Sequence, residues 1–163
     1  MNKSNLNEFL NHLANGRTQS SDLLRLPSLN DLSSELGISV ARLREQMEVA
    51  RAMGLVEVKP RTGIRRLPYS FHPAVYQSLA YAMQLDRIYF DAYADLRNHV
   101  EASYWYEAVK RLTEEDLQEL QALVASAWIK LRSDQVRIPH REHRKLHLTI
   151  FRRLDNPFVT GIL

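Results

Sequence analysis

The stretch Asp31–Met47, DLSSELGISVARLREQM, decides the reading of this chain. A helical run reaches Leu36, breaks at Gly37 and restarts at Ser39. Glycine at position 37 supplies the left-handed backbone that ends a helix. Ser39 has the side chain of an N-cap for the next one. Val40, Leu43, Met47 and Ala50 recur at helical spacing, so one face of the second helix is buried. Ile38 fills the space between the two helices. An abrupt stop and restart of this kind predicts two helices set at a fixed angle by a tight turn.

Leu6, Phe9, Leu10 and Leu13 predict a helix over residues 4–15 that ends near Gly16. Ser28 caps the helix that carries Leu29, Leu32 and Leu36. After about Met53 the period changes. Val56 and Val58 alternate with Glu57 and Lys59, a Pro-Arg-Thr-Gly turn follows, and Ile64 and Leu67 come next, which predicts a short hairpin. The stretch Arg65–Val75 holds two prolines and a basic cluster and reads as a junction. Everything beyond it is helical in pattern: residues 73–84, residues 86–111 with Tyr89, Tyr93, Leu96 and Val100 as a stripe, a helix capped by Thr113 with Glu115 and Asp116 complementing its dipole, and one beginning near Pro139. The expected fold is mainly α. A winged helix-turn-helix over residues 1–67 and a linker at 68–73 precede an all-helical bundle over 74–163.

Composition narrows the function classes. The 163 residues include no cysteine, which excludes a disulfide framework and thiolate metal sites and fits a cytoplasmic setting. No apolar run approaches the roughly 20 residues of a bilayer span. The N-terminus lacks the order of a signal peptide. The formal net charge of +3 lies wholly in residues 1–70, which carry ten Lys/Arg against seven Asp/Glu; residues 71–163 carry twelve of each.

Three helices followed by a two-stranded wing place the third helix in a DNA major groove. On that helix Ala41, Glu45, Glu48 and Ala52 face outward, with Arg42 and Arg44 on the flanks. Arginine there grips phosphate or pairs with guanine. Glu45 either pairs with Arg42 or accepts from a cytosine amino group. At the hairpin tip Lys59, Arg61, Arg65 and Arg66 surround Thr62 and Gly63, and a glycine lets the backbone come close to a phosphate. The candidate DNA contacts are Ser28, Asn30, Ser39, Ala41, Arg42, Arg44, Arg61, Thr62, Gly63 and Arg65. The alternative for the same pattern is a three-helix domain with a solvated basic hairpin.

The stretch LPSLNDLSSELGISVARLREQMEVARAMGLVEVKPRTGIRR resembles the DNA-binding domain of the GntR family of bacterial transcription regulators, over roughly residues 5–67. The shared pieces are the leading LPS, the LGIS turn, the LRE of the third helix and the GLV…G wing. Many members carry arginine where this chain has Asn30 and Val40, so the resemblance implies a different operator. The later region resembles the FCD type of effector domain of the FadR-like branch. Arg97 and Glu101 match its Arg-x-x-x-Glu spacing. His143, Leu146, His147 and Asn156 stand where members read Asp-x-x-Phe-His and a later Asn.

That second resemblance implies a ligand pocket inside the bundle, holding a divalent metal such as zinc and a small organic acid. His143 and His147 are the candidate metal ligands, Arg97 and Glu101 the effector residues. His143 and His147 share an apolar stripe with Leu146, Ile150, Phe151 and Leu154, and histidines at i and i+4 can converge on one ion. The alternative is a pair of ordinary core histidines. Arg97 either meets a carboxylate or pairs with Glu101 one turn on. The family's Asp is His143 here, with Glu142 adjacent. The chain stops at DNPFVTGIL, where FCD domains carry further helices and histidines, so an incomplete ligand set and an open side exposing Leu146, Ile150 and Leu154 are expected.

The implied protein is a transcription regulator, not an enzyme: a homodimer on a double-stranded DNA operator, responding to a small acid, with no membrane partner. The competing classes are a metal-dependent hydrolase, for which the HExxH order is missing from HREHRKLH, and a winged helix used for protein contact.

Overall fold

The computed structural model describes residues 6–16, 25–59 and 63–163. The chain is mainly α, as expected, with α1 (Glu8–Asn15), α2 (Leu29–Leu36), α3 (Val40–Ala52), β1 (Val56–Lys59), β2 (Gly63–Arg66), α4 (His72–Leu85), α5 (Ile88–Lys110), α6 (Glu114–Leu131), α7 (His140–Phe151) and α8 (Pro157–Ile162). It divides into two compact units, Met1–Gln77 and Ser78–Leu163.

In the first unit the turn between α2 and α3 forms as the sequence dictates. Ser28 and Ser39 each accept a backbone N–H of the following helix, from Asp31 and Arg42. Gly37 closes α2 at φ 64°. The core gathers Phe9, Leu10 and Leu13 of α1, Leu32 of α2, Leu43, Met47 and Ala50 of α3, and Val56 and Ile64 of the hairpin. Strands β1 and β2 pair antiparallel with Glu57 opposite Arg65 and Val58 opposite Ile64. Helix α1 starts at Glu8 with Asn7 as its cap, later than the apolar pattern indicated, because the Asn7 side chain takes the Leu10 amide.

One buried side chain of α3 is polar. Gln46 accepts the Phe9 amide through Oε1 at 2.9 Å and donates through Nε2 to Glu8 at 2.6 Å. It satisfies both ends of its amide against the first turn of α1, as a buried amide must.

In the second unit, α6 and α7 are joined by two carboxylates. Glu142, buried on α7, receives Lys130 Nζ of α6 at 2.7 Å and the Ser126 hydroxyl at 3.3 Å. The Lys130 hydrogen bond holds its carboxyl below the ordinary range. Asp116 is fully enclosed at the start of α6. It forms a reciprocal capping box with Thr113 and also receives the guanidinium groups of Arg152 and Arg153. Arg152 additionally reaches Glu119 at 2.8 Å. Beside the first turn of α6 Asp116 complements the helix dipole, as the sequence predicts. It is also a buried anchor, which the sequence does not announce because the arginines that enclose it lie almost forty residues further on.

A second correction concerns apolar exposure. Ile150 and Leu154, expected on an open side, are buried with Ala108, Phe151 and Val159, and Leu146 packs against them. The exposed large apolar side chains are others, among them Trp105, Tyr106, Trp128 and Ile129. On α5, Tyr89 and Leu96 of the expected stripe are exposed; the inward face is Tyr93, Arg97, Val100, Glu101, Tyr104 and Ala108.

The Asp116 cluster fixes an acid response. Hydrogen bonds from Arg153, then the Thr113 amide, then Arg152 hold the Asp116 carboxyl far below its ordinary value of 3.8. A carboxylate with a depressed folded-state pKa contributes stability in full above its unfolded value and loses it as pH falls beneath that value. Thermal unfolding of the wild type should therefore drop as pH is lowered below about 4. Asp116→Asn should have a lower melting temperature at pH 7 and a weaker dependence on pH below 4. Equal melting temperatures at pH 7 would contradict the assignment.

Candidate functional site

The helix–turn–helix face of the first unit sorts its charges. Ser28 and Ser39 are occupied as helix caps, Ser28 also donating to the Asp31 carboxylate at 2.6 Å. Asn30 and Ala41 are exposed. Arg42 does not pair with Glu45: its Nη2 reaches Glu8 at 2.7 Å, because Glu8 is already fixed at the start of α1 by the Gln46 amide. The Glu8 carboxyl is held below the ordinary range by a backbone hydrogen bond first, then by Gln46 and Arg42. Glu48 pairs with Arg51 at 2.7 Å. Arg44 stays exposed. Of the hairpin candidates, Arg61 and Thr62 lie outside the described residues. Gly63 stands at φ 80°, and Arg65 is exposed on β2. Arg25 was missed by the sequence reading. It sits opposite Arg65 in an antiparallel bridge that extends the hairpin to a third segment.

In the second unit four predicted residues do meet. Arg97 Nε lies 2.9 Å from Glu101 Oε1 along α5, and His147 Nδ1 of α7 lies 3.1 Å from the same oxygen. Both nitrogens are enclosed, and neither contact has the alignment of a good hydrogen bond. The far edge of His147 meets His143, Nε2 to Nε2 at 3.1 Å. Of the pair only His147 points inward; His143 is exposed. Burial pushes the His147 imidazole pKa down; Glu101 opposes this, while Arg97 and His143 reinforce it. Its neutral form is therefore favoured.

Beside this cluster the Tyr93 hydroxyl donates to the Ile162 carbonyl at 2.5 Å. Burial raises the Tyr93 pKa, opposed by Arg97. Asn156 is not part of the cluster: its side chain caps α8, accepting from Phe158 and Val159 with Pro157 following.

The arrangement can orient an imidazole. A carboxylate beside Nδ1 favours the tautomer that leaves the Nε2 lone pair towards His143, as in a carboxylate–histidine–metal unit. Two imidazole nitrogens 3.1 Å apart fit as neighbouring ligands of one ion. Among the described residues no group of three or more His, Cys, Asp or Glu side chains is gathered to hold a metal.

The second unit is thus an all-helical bundle with a polar cluster built from two of its helices. Residues 92–163 match the FCD domain, which is characteristic of GntR-family transcription regulators. No curated protein matches the chain. Among the described residues no helix is long and apolar enough to cross a membrane.

Glu101 is the pivot of the cluster, and its removal has a distinct signature. Glu101→Ala removes the only carboxylate that faces the enclosed Arg97 Nε and His147 Nδ1 among the described residues, so it should lower the melting temperature more than His143→Ala, which removes an exposed ring. Calorimetry of the two variants compares them directly. A larger loss for His143→Ala would show that the carboxylate does not hold the cluster.

Proposed function

We propose that the protein is a DNA-binding transcription regulator of GntR type, with a winged helix-turn-helix in its first unit and a ligand-binding effector domain in its second. The observation that carries the reading is the FCD match over residues 92–163 in a chain whose first unit sets α2 and α3 about Gly37 and follows them with a basic hairpin. In this reading α3 enters the major groove and the hairpin lies along the backbone. A dimer on a pseudo-palindromic site supplies the surface that one such module lacks. Absence of any salt-dependent binding to duplex DNA would favour the adaptor or hydrolase alternatives instead.

The effector reading rests on the Arg97–Glu101–His147–His143 cluster. His147 and His143 would hold a divalent cation, with Glu101 orienting His147 from behind; such a cation would supply positive charge to anchor the carboxylate of a small acid. Arg97 is the second cation available to that acid. Two imidazoles are a partial ligand set, so weak binding is expected. Calorimetric titration of the apo protein with zinc should show weak uptake that His147→Ala abolishes. Uptake unchanged in that variant would remove these histidines from the role.

Arg44 is exposed on α3, where Arg42 and Arg51 are engaged by Glu8 and Glu48. Arg44→Ala should weaken binding to a selected operator by about 1–3 kcal/mol, as loss of a base or well-placed phosphate contact does. Arg42→Ala should act chiefly by loosening α1, since Arg42 is engaged by Glu8. Operator titrations with thermal melts separate the two; parent-like affinity in Arg44→Ala would refute the placement of α3.

A further inference from the structure

Apart from Arg44 on α3, the described arginines and lysine of the first unit fall into two groups. Arg42 is held by Glu8, Arg51 by Glu48 and Lys59 by Glu57, while Arg66 donates to the Gly16 carbonyl. Arg25 and Arg65 are exposed, and among the described residues neither has a carboxylate within ion-pair distance. They stand directly opposite one another in the antiparallel bridge, which the Leu26 amide secures by donating to the Ile64 carbonyl at 2.9 Å. Opposed residues of an antiparallel pair project from one face at about 5 Å, and like charges so placed destabilise the pair. Glu57 flanks Arg65 on the other side, but its carboxylate is taken by Lys59 at 2.8 Å.

Gly63 adds a second observation. A β-carbon there would lie 3.8 Å from Arg25 Nε and 3.9 Å from Nη2, ordinary van der Waals contact, so the guanidinium lies beside the turn end of β2. Its position on the hairpin is thereby defined by packing. Two guanidinium groups on one face, opposed in register and with no counter-charge among the described residues, form a receptor for an anion that both can share.

We propose that Arg25, with Arg65, grips the phosphate backbone of duplex DNA, so that the segment before α2 is part of the hairpin's contact surface. The inference rests on the DNA-binding reading and extends it to a residue outside the hairpin.

The test is fluorescence polarisation of the full chain with a short random-sequence duplex across a sodium chloride series. Arg25→Ala should weaken binding about five- to tenfold near 0.1 M salt and reduce the slope of log affinity against log salt by about 0.9, the loss of one phosphate contact. Arg25→Gln, which keeps length without charge, should show the same slope change, and Arg25→Lys should retain the parent slope. If Arg25→Ala and Arg25→Gln keep the parent slope while Arg44→Ala weakens binding, the inference is overturned and the DNA reading stands. If the parent shows no salt-dependent binding, the DNA reading itself fails and the inference falls with it.

Discussion

The second unit depends on a carboxylate that cannot leave its place. Asp116 is enclosed at the first turn of α6, where it closes the capping box and receives two arginines from the end of α7. Charge-assisted bonds to a group with no access to water are strong and directional. They join the beginning of one helix to the end of the next, while Glu142 and Lys130 join the opposite ends of the same pair. With α7 pinned at both ends, its rotation is set. That rotation turns His147 towards Glu101 on α5 and leaves His143 at the rim.

The first unit was largely legible because its signals are local. Ser28, Gly37 and Ser39 each act within three or four residues, so cap, turn and restart follow from spacing alone. The hairpin was legible from its change of period. What escaped was long-range. Arg42 looked free, or paired with Glu45, until α1 brought Glu8 against it. Arg25 stood in a stretch with no periodicity, and its neighbour Arg65 lies forty residues away.

The second unit was less legible because its inner faces carry charge. A hydrophobic stripe drawn through α5 chose Tyr89 and Leu96, yet the inward face holds Arg97 and Glu101, which an apolarity rule discards. The family resemblance recovered those two positions and the histidines from spacing, and the structure brings them together. The same resemblance placed Asn156 in the motif, whereas here it caps α8. The DNP order at Asp155–Pro157 is itself a helix-start signal, and could have been read as one.

Gln46 has a consequence for how the first unit breathes. The first amides of a helix ordinarily face water and exchange their hydrogens quickly, since no carbonyl of the same helix reaches them. The Phe9 amide sits in that position on α1, yet it is buried and bonded to the Gln46 side chain of α3. Its hydrogen can exchange only when α1 lifts from α3, an opening that exposes Phe9, Leu10 and Leu13 together. One amide at the start of a short helix thus serves as a clock for the undocking of that whole helix.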